Sequence, residues 1–144
     1  MSDPLYRMEL LRLAAQANGA GRLVRPEATG VAFNPACGDK VTVDLTLKDG
    51  RVTAMAHETK ACVLAQASAS ILGATLEGTM RADIERLQQD IVSMLQAQAP
   101  APGAPFDAYS AFQGAVEHKS RHRCVLLPLE AVLAAFESSD LHSL

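Results

Sequence analysis

The sequence predicts an α+β fold, an antiparallel sheet with one face buried under helices. Residues Lys40–Lys48 alternate strictly, with Val41, Val43, Leu45 and Leu47 on one side and Thr42, Asp44, Thr46 and Lys48 on the other, the period of a half-buried strand. Asp49-Gly50 follows at once as a two-residue hairpin signal. Arg51–Thr59 then returns, with Val52, Ala54 and Ala56 facing one way and Thr53, Met55 and His57 the other. From Cys62 onward the apolar period changes to that of a helix.

Each element has its own signal. Asp3–Ala17 reads as an amphipathic helix, with Asp3 as cap, Pro4 in the first turn, and Leu5, Met8, Leu11 and Ala15 at helical spacing. Asn18-Gly19-Ala20-Gly21 stops it, and a loop runs through Arg22–Gly30 to a short extended piece at Val31–Phe33. Asn34-Pro35-Ala36-Cys37-Gly38-Asp39 is turn chemistry, since proline fixes one φ and glycine permits a positive one. Cys62–Leu76 is rich in Ala, Leu and Ser and nearly uncharged, so it reads as a buried helix closed by Gly78. Thr79 is placed to cap a second helix to about Gln98, its core stripe being Met80, Ile84, Leu87, Ile91 and Met94. Gln96–Pro105, with three prolines and a glycine, reads as an exposed linker or lid. Phe106–Val116 reads as a short helical segment, and Pro128 as the first position of a last helix running to Phe136.

Composition narrows the function classes. The chain has 144 residues, enough for one domain spanning 1–144 that buries about 68–70% of its unfolded surface without disulfides. Apolar residues make up 49% and aromatic residues only 4%, with no Trp, so the core is aliphatic. A net charge of −3 argues against a nucleic-acid binder, which needs a cationic face. No basic n-region precedes an apolar run at the N-terminus, and no uncharged stretch is long enough to span a bilayer. The expectation is a cytoplasmic protein with neither nucleic-acid nor membrane partners.

The three cysteines carry the chemistry. Three cannot all pair within one chain, and in a reducing compartment thiols serve as metal ligands or nucleophiles; the plain alternative is three buried, inert cysteines. Each stands at an element boundary: Cys37 in the turn before the first clear strand, Cys62 opening a helix, and Cys124 ahead of the last helix. A helix N-terminus favours a thiolate. No paired C-x-x-C knuckle is present, so spacing alone is a weak signal. Three thiolates and one carboxylate complete a tetrahedral site whose hard oxygen corner is the exchangeable one.

The chain resembles the iron–sulfur cluster scaffold family of IscU, SufU and the N-terminal domain of NifU. The resemblance rests on Leu5-Tyr6-Arg7, Asn34-Pro35-Ala36-Cys37-Gly38-Asp39, Cys62 with Ala67-Ser68-Ala69-Ser70, Arg121-His122-Arg123-Cys124, and Leu127-Pro128, in order along almost the whole chain. The long stretch between Cys62 and Cys124, and Arg123 where the IscU branch places a histidine, resemble the SufU-like branch. The resemblance implies a three-stranded antiparallel sheet packed against helices. It also implies a site of Cys37, Asp39, Cys62 and Cys124 holding zinc, iron or a nascent 2Fe–2S cluster. Sulfur then arrives as a persulfide from a cysteine desulfurase, with Cys37 and Cys124 the candidate acceptors and Arg121 in support. Apo-proteins receive the product. Thr59-Lys60-Ala61-Cys62 departs from the glycine-bearing segment common in the family, which removes loop freedom before Cys62 but no ligand.

Two functions of different class follow: a scaffold that holds and releases a cluster, and a SufU-type zinc-dependent sulfur acceptor that relays a persulfide. A zinc-stabilised module that only binds partners is the blander third. His122, inside a Lys/Arg/His run, is a lesser candidate ligand, and His57 is expected to face solvent.

Overall fold

The computed structural model describes the backbone of residues 4–142 and the side chains of residues 7–139. Asp3, the expected cap, and the side chain of Leu5 lie outside the described residues. In chain order the elements are α1 (Pro4–Gln16), β1 (Ala28–Asn34), β2 (Asp39–Lys48), β3 (Arg51–Lys60), α2 (Val63–Thr75), α3 (Arg81–Ala97), two 3-10 segments (Asp107–Ala115 and Lys119–Arg121), and α4 (His122–His142). The strands form one antiparallel sheet in the order β1-β2-β3. α4 lies across β1 and β2, α2 beside it against β3, with α1 outside α2 and α3 outside α4.

The hairpin forms where Asp49-Gly50 predicts it. Both residues take positive φ, 53° and 79°, the requirement of a tight two-residue turn that matches the twist of the strands. A bulge between Thr46 and Leu47 then changes what β3 presents: Thr46 pairs with Ala54, whereas Leu47 pairs with Val52. The extra residue flips the alternation. Met55 and His57 therefore lie opposite Leu45 and Val43 on the core side, in place of the expected Ala54 and Ala56. His57 is buried, not solvent-facing. Its Nε2 donates to the Asn18 carbonyl at 2.9 Å and its Nδ1 meets the Thr59 hydroxyl at 2.9 Å.

β1 is twice the length its sequence signals, because Ala28, Gly30 and Ala32 face the core with almost no side chain. Small residues are needed there: a Cβ on Gly30 would overlap the Ala131 carbonyl oxygen and the Ala135 nitrogen of α4. On the opposite face Asp44 is fully buried and fully answered. Arg22 reaches it at 2.6 and 3.0 Å, Thr29 at 2.8 Å and the Leu23 N–H at 3.1 Å. Burial would raise this carboxyl's pKa, but the Arg22, Thr29 and Leu23 donors hold it below the ordinary value.

Three helix readings are corrected. α1 buries Leu10 and Leu13, while Met8, Leu11 and Ala15 are exposed; apolar residues surround this helix, and packing on α2 selects the face. Thr79 donates to the Leu76 carbonyl at the end of α2, and α3 is instead started by Asp83, which accepts the Met80 N–H at 2.9 Å. Met80 is consequently 38% exposed, while the rest of its stripe is buried. α4 begins at His122, so Pro128 is interior rather than first. Residues 107–115 are helical as expected, but 3-10. Pro102 and Phe106 are buried, so Gln96–Pro105 is no free linker. Its end packs beside Thr75, Thr79 and Asp83, the opposite end of α2 from Cys62, about 20 Å away at 1.5 Å per residue.

Candidate metal centre

The β1–β2 connection presents Cys37. Asn34 organises it: its side-chain oxygen accepts the Ala36 N–H at 3.1 Å, and its carbonyl accepts the N–H groups of Cys37 and Gly38 at 3.3 and 2.8 Å. Gly38 takes φ +79° with open space around it, so glycine is required here by backbone conformation rather than by crowding. The turn leaves Cys37 exposed at its tip. Asn34 pairs with Asp39 across the hairpin, so Asp39 opens β2 directly below the turn, and only 8% of it is exposed.

Cys62 arrives from the end of β3 as the N-cap of α2, with extended backbone and no side-chain cap bond. Its thiol is thus uncommitted locally, while its N–H points to the Asp39 carboxylate at 3.4 Å. The carboxylate therefore sits at the positive end of α2. Cys124 enters from the first turn of α4 and is 6% exposed.

Among the described residues, the sulfurs of Cys37 and Cys124 and a carboxylate oxygen of Asp39 lie within 4.8 Å of one another. The Cys62 sulfur does not lie that close to all three. It is nonetheless a neighbour of Cys124, whose thiol is pushed up to about 12 by burial and then by Cys62, Asp39 and Cys37. A pocket that crowds anionic donors in this way is completed chemically by a cation.

Two other sequence candidates stand elsewhere. Arg121, in the 3-10 turn before α4, is exposed and lines a neighbouring cavity rather than the donor cluster. The Nε2 of His122 donates to the carbonyls of Ala115 and Val116 at 2.9 and 3.2 Å, so this nitrogen is engaged by backbone.

A support layer escaped the reading of the sequence. Ser68, fully buried in α2, donates to the carbonyl of Val125 at 2.8 Å and accepts from the buried Tyr109 hydroxyl at 2.8 Å. Burial, opposed only in part by Ser68, raises the Tyr109 pKa, which keeps the phenol a donor. Pro128 lacks the N–H that would otherwise bond the Cys124 carbonyl, and the Ser68 bond to the next carbonyl, that of Val125, ties this turn of α4 to α2. A serine inside an apolar helix is the one signal that pointed to it.

The sequence matches the family described as the NifU-like N terminal domain over residues 5–124, a span holding all four site residues. The chain belongs to that family. No curated protein matches it. Among solved structures, the N-terminal NifU-like protein of Brucella abortus, described as nitrogen-fixing, is similar at 31% identity, with a TM-score of 0.89 and 95% of each chain covered. A hypothetical protein shares the fold at 20% identity and TM-score 0.81, covering 92% of this chain and 97% of its own. So does a protein of Fervidobacterium islandicum described as an iron–sulfur cluster assembly scaffold for the SUF system. It is 16% identical with a TM-score of 0.79, covering 89% of this chain and 93% of its own. These similarities bear out the expected three-stranded antiparallel sheet with helices. No described helix of this NifU-like domain is long and apolar enough to cross a membrane.

Proposed function

We propose that this chain is an iron–sulfur cluster assembly scaffold. Cys37, Asp39, Cys62 and Cys124 hold a nascent cluster, or the iron that precedes it, and a cysteine desulfurase supplies the sulfur before apo-proteins take the product. The observation that carries the reading is the convergence within 4.8 Å of Cys37 and Asp39, from the β1–β2 hairpin, with Cys124 of α4, more than 80 residues away in sequence. Family membership supports it. Soft thiolates suit iron and zinc, and the single oxygen corner suits a cargo that must leave.

Of the two candidate sulfur acceptors, exposure favours Cys37. Its thiolate attacks the outer sulfur of the donor's persulfide, the donor's S–S bond breaks, and the donor cysteine leaves as a thiolate. Cys37 then carries the persulfide beside Asp39 and Cys124. Cys124, nearly enclosed, is out of reach of a donor enzyme. Three unpaired thiols suit a reducing cytoplasm, where we place the protein.

One observation favours the zinc-dependent sulfur acceptor as a second reading. Donors around a single tetrahedral ion with bonds of 2.0–2.3 Å lie about 3.3–3.8 Å apart, and the three donor atoms here are already within 4.8 Å. Zinc would then hold the site together while Cys37 takes sulfur.

Anaerobic reconstitution with iron and sulfide separates the two. The scaffold reading expects a visible cluster band that transfers to an apo-acceptor and is lost in Cys37→Ser, Cys62→Ser and Cys124→Ser. Tight zinc, no cluster and a stimulated desulfurase support the relay instead. If all three serine variants keep the metal content of the parent, the shared site is wrong.

A further inference from the structure

Beside the donor cluster, α1, the start of α2 and the 3-10 turn before α4 enclose an open cavity of about 500 Å³. Its floor is apolar, with Leu10, Leu11 and Val63. Its polar groups among the described residues are Arg7, His118 and Arg121, with no Asp or Glu among them, although the chain as a whole carries a net charge of −3. Arg7 and Arg121 stand at opposite ends of the sequence. Neither guanidinium has an ion pair or hydrogen bond among the described residues. Two of its apolar groups are open to solvent: Leu11 is 49% exposed and Val63 40%.

We propose that this cavity docks an acidic, apolar segment of the sulfur-donating partner. The two guanidiniums offer planar forks that match carboxylates. The leucine and valine floor offers a pocket for one large aliphatic or aromatic anchor between them. The location gives the contact a purpose. Val63 directly follows Cys62, and Arg121 is three residues ahead of Cys124, so a segment seated here brings the rest of its protein against the rim of the donor cluster. The same placement assigns Arg121 a role in holding the donor rather than the ion. The inference rests on the sulfur-transfer reading above and names where the donor binds.

The test is the affinity of the full chain for the cysteine desulfurase of the same organism, measured by titration calorimetry at 50 and 300 mM salt, with metal content read on the same samples. Arg7 and Leu11 are exposed, so Arg7→Glu and Leu11→Asp leave the core intact. Each is expected to weaken binding at least tenfold, and Arg7→Glu to flatten the salt dependence. Arg7→Lys retains part of the affinity, and Lys48→Glu, at the distant hairpin end, changes it less than twofold. Wild-type affinity in Arg7→Glu, salt-independent binding, or no binding of the desulfurase by the wild-type chain overturns the docking site. A wild-type chain that holds no metal yet binds the desulfurase through Arg7 overturns the scaffold reading and leaves the docking site standing.

Discussion

Gly30→Ala tests whether the sheet positions the donor cluster through α4. The three atoms nearest the new methyl are all backbone, of Ala131, Ala134 and Ala135, so the closest overlaps are not relieved by rotating a side chain. The overlap lies well inside van der Waals contact, and α4 must recede by about an ångström. A gap of 0.5–1 Å already forfeits a quarter to a half of each dispersion well, and α4 covers Val41, Val43 and Leu45 as well as β1. Overpacking costs about 1–3 kcal/mol when side chains can adjust; with backbone on the far side we expect about 3 kcal/mol. At about 2–4 °C per kcal/mol for a chain near this size, the melting temperature should fall by roughly 6–12 °C. Cys124 rides on the same helix, whereas metal–ligand distances tolerate about 0.2 Å, so zinc affinity by chelator competition should fall at least tenfold. Gly103→Ala is the control, since a Cβ there meets nothing within 4 Å. An unchanged melting temperature in Gly30→Ala refutes the close approach. A lowered one with wild-type metal affinity refutes the coupling of α4 to the site.

Gly38→Ala places a Cβ at φ +79° and should cost about 1–2 kcal/mol; alkylation of Cys37 would report the altered turn as a changed rate, and an unchanged rate would count against its role in presenting the thiol. Ser68→Ala strips the Val125 carbonyl of its outside donor and Tyr109 of its side-chain acceptor. It should destabilise by about 1–3 kcal/mol in denaturant titration, more than Tyr109→Phe, which leaves the Ser68–Val125 bond in place. His57 supplies a pH dependence. Burial lowers its folded pKa below 6.5, against the opposing Asn18 carbonyl. Between the folded and unfolded values the unfolded chain binds more protons, so His57's contribution is full above pH 6.5 and is lost as pH falls through the folded value. Denaturant midpoints between pH 7.5 and 5.5 should show that fall, reduced in His57→Gln.

Legibility followed the size of the side chains. The β2–β3 hairpin was readable because Val41, Val43 and Leu45 alternate and Asp49-Gly50 can hardly do anything but turn. β1 was read short because its inward residues are two alanines and a glycine, which carry no hydrophobic signal although they admit α4 most closely. The bulge at Thr46/Leu47 left no mark in the sequence, and it alone decides that His57 rather than Ala56 joins the core row. Pro128 was misleading for a physical reason: proline is favoured at a helix start, but here it is tolerated six residues in, where Ser68 bonds the adjacent Val125 carbonyl. At the site, the turn chemistry around Cys37 and Asp39 and the helix start at Cys124 are visible in the sequence, and the three side chains lie together. Arg121, close in sequence to Cys124, stands in the next cavity.

The fold grades its donors from exposed to enclosed. Cys37 sits exposed on a four-residue turn held by the side chain and carbonyl of Asn34, whereas Cys124 is packed into a helix against the sheet and tied to α2 through Ser68. Asp39 lies between them at the root of the turn, its carboxylate shared with the Cys62 N–H. A site made only of fixed donors would bind an ion tightly and release it slowly, and one made only of mobile donors would bear the entropy of ordering each of them. The graded arrangement lets the outer thiol meet a donor protein while the inner one keeps the place of the ion. That is the physical reason to test Cys37→Ser and Cys124→Ser separately. Both variants should fail to hold a cluster, and a single zinc ion separates them: Cys37→Ser should weaken it and abolish sulfur uptake, whereas Cys124→Ser should lose it altogether. Identical behaviour of the two variants would show that the donors act as one unit and that the gradient in burial has no functional consequence.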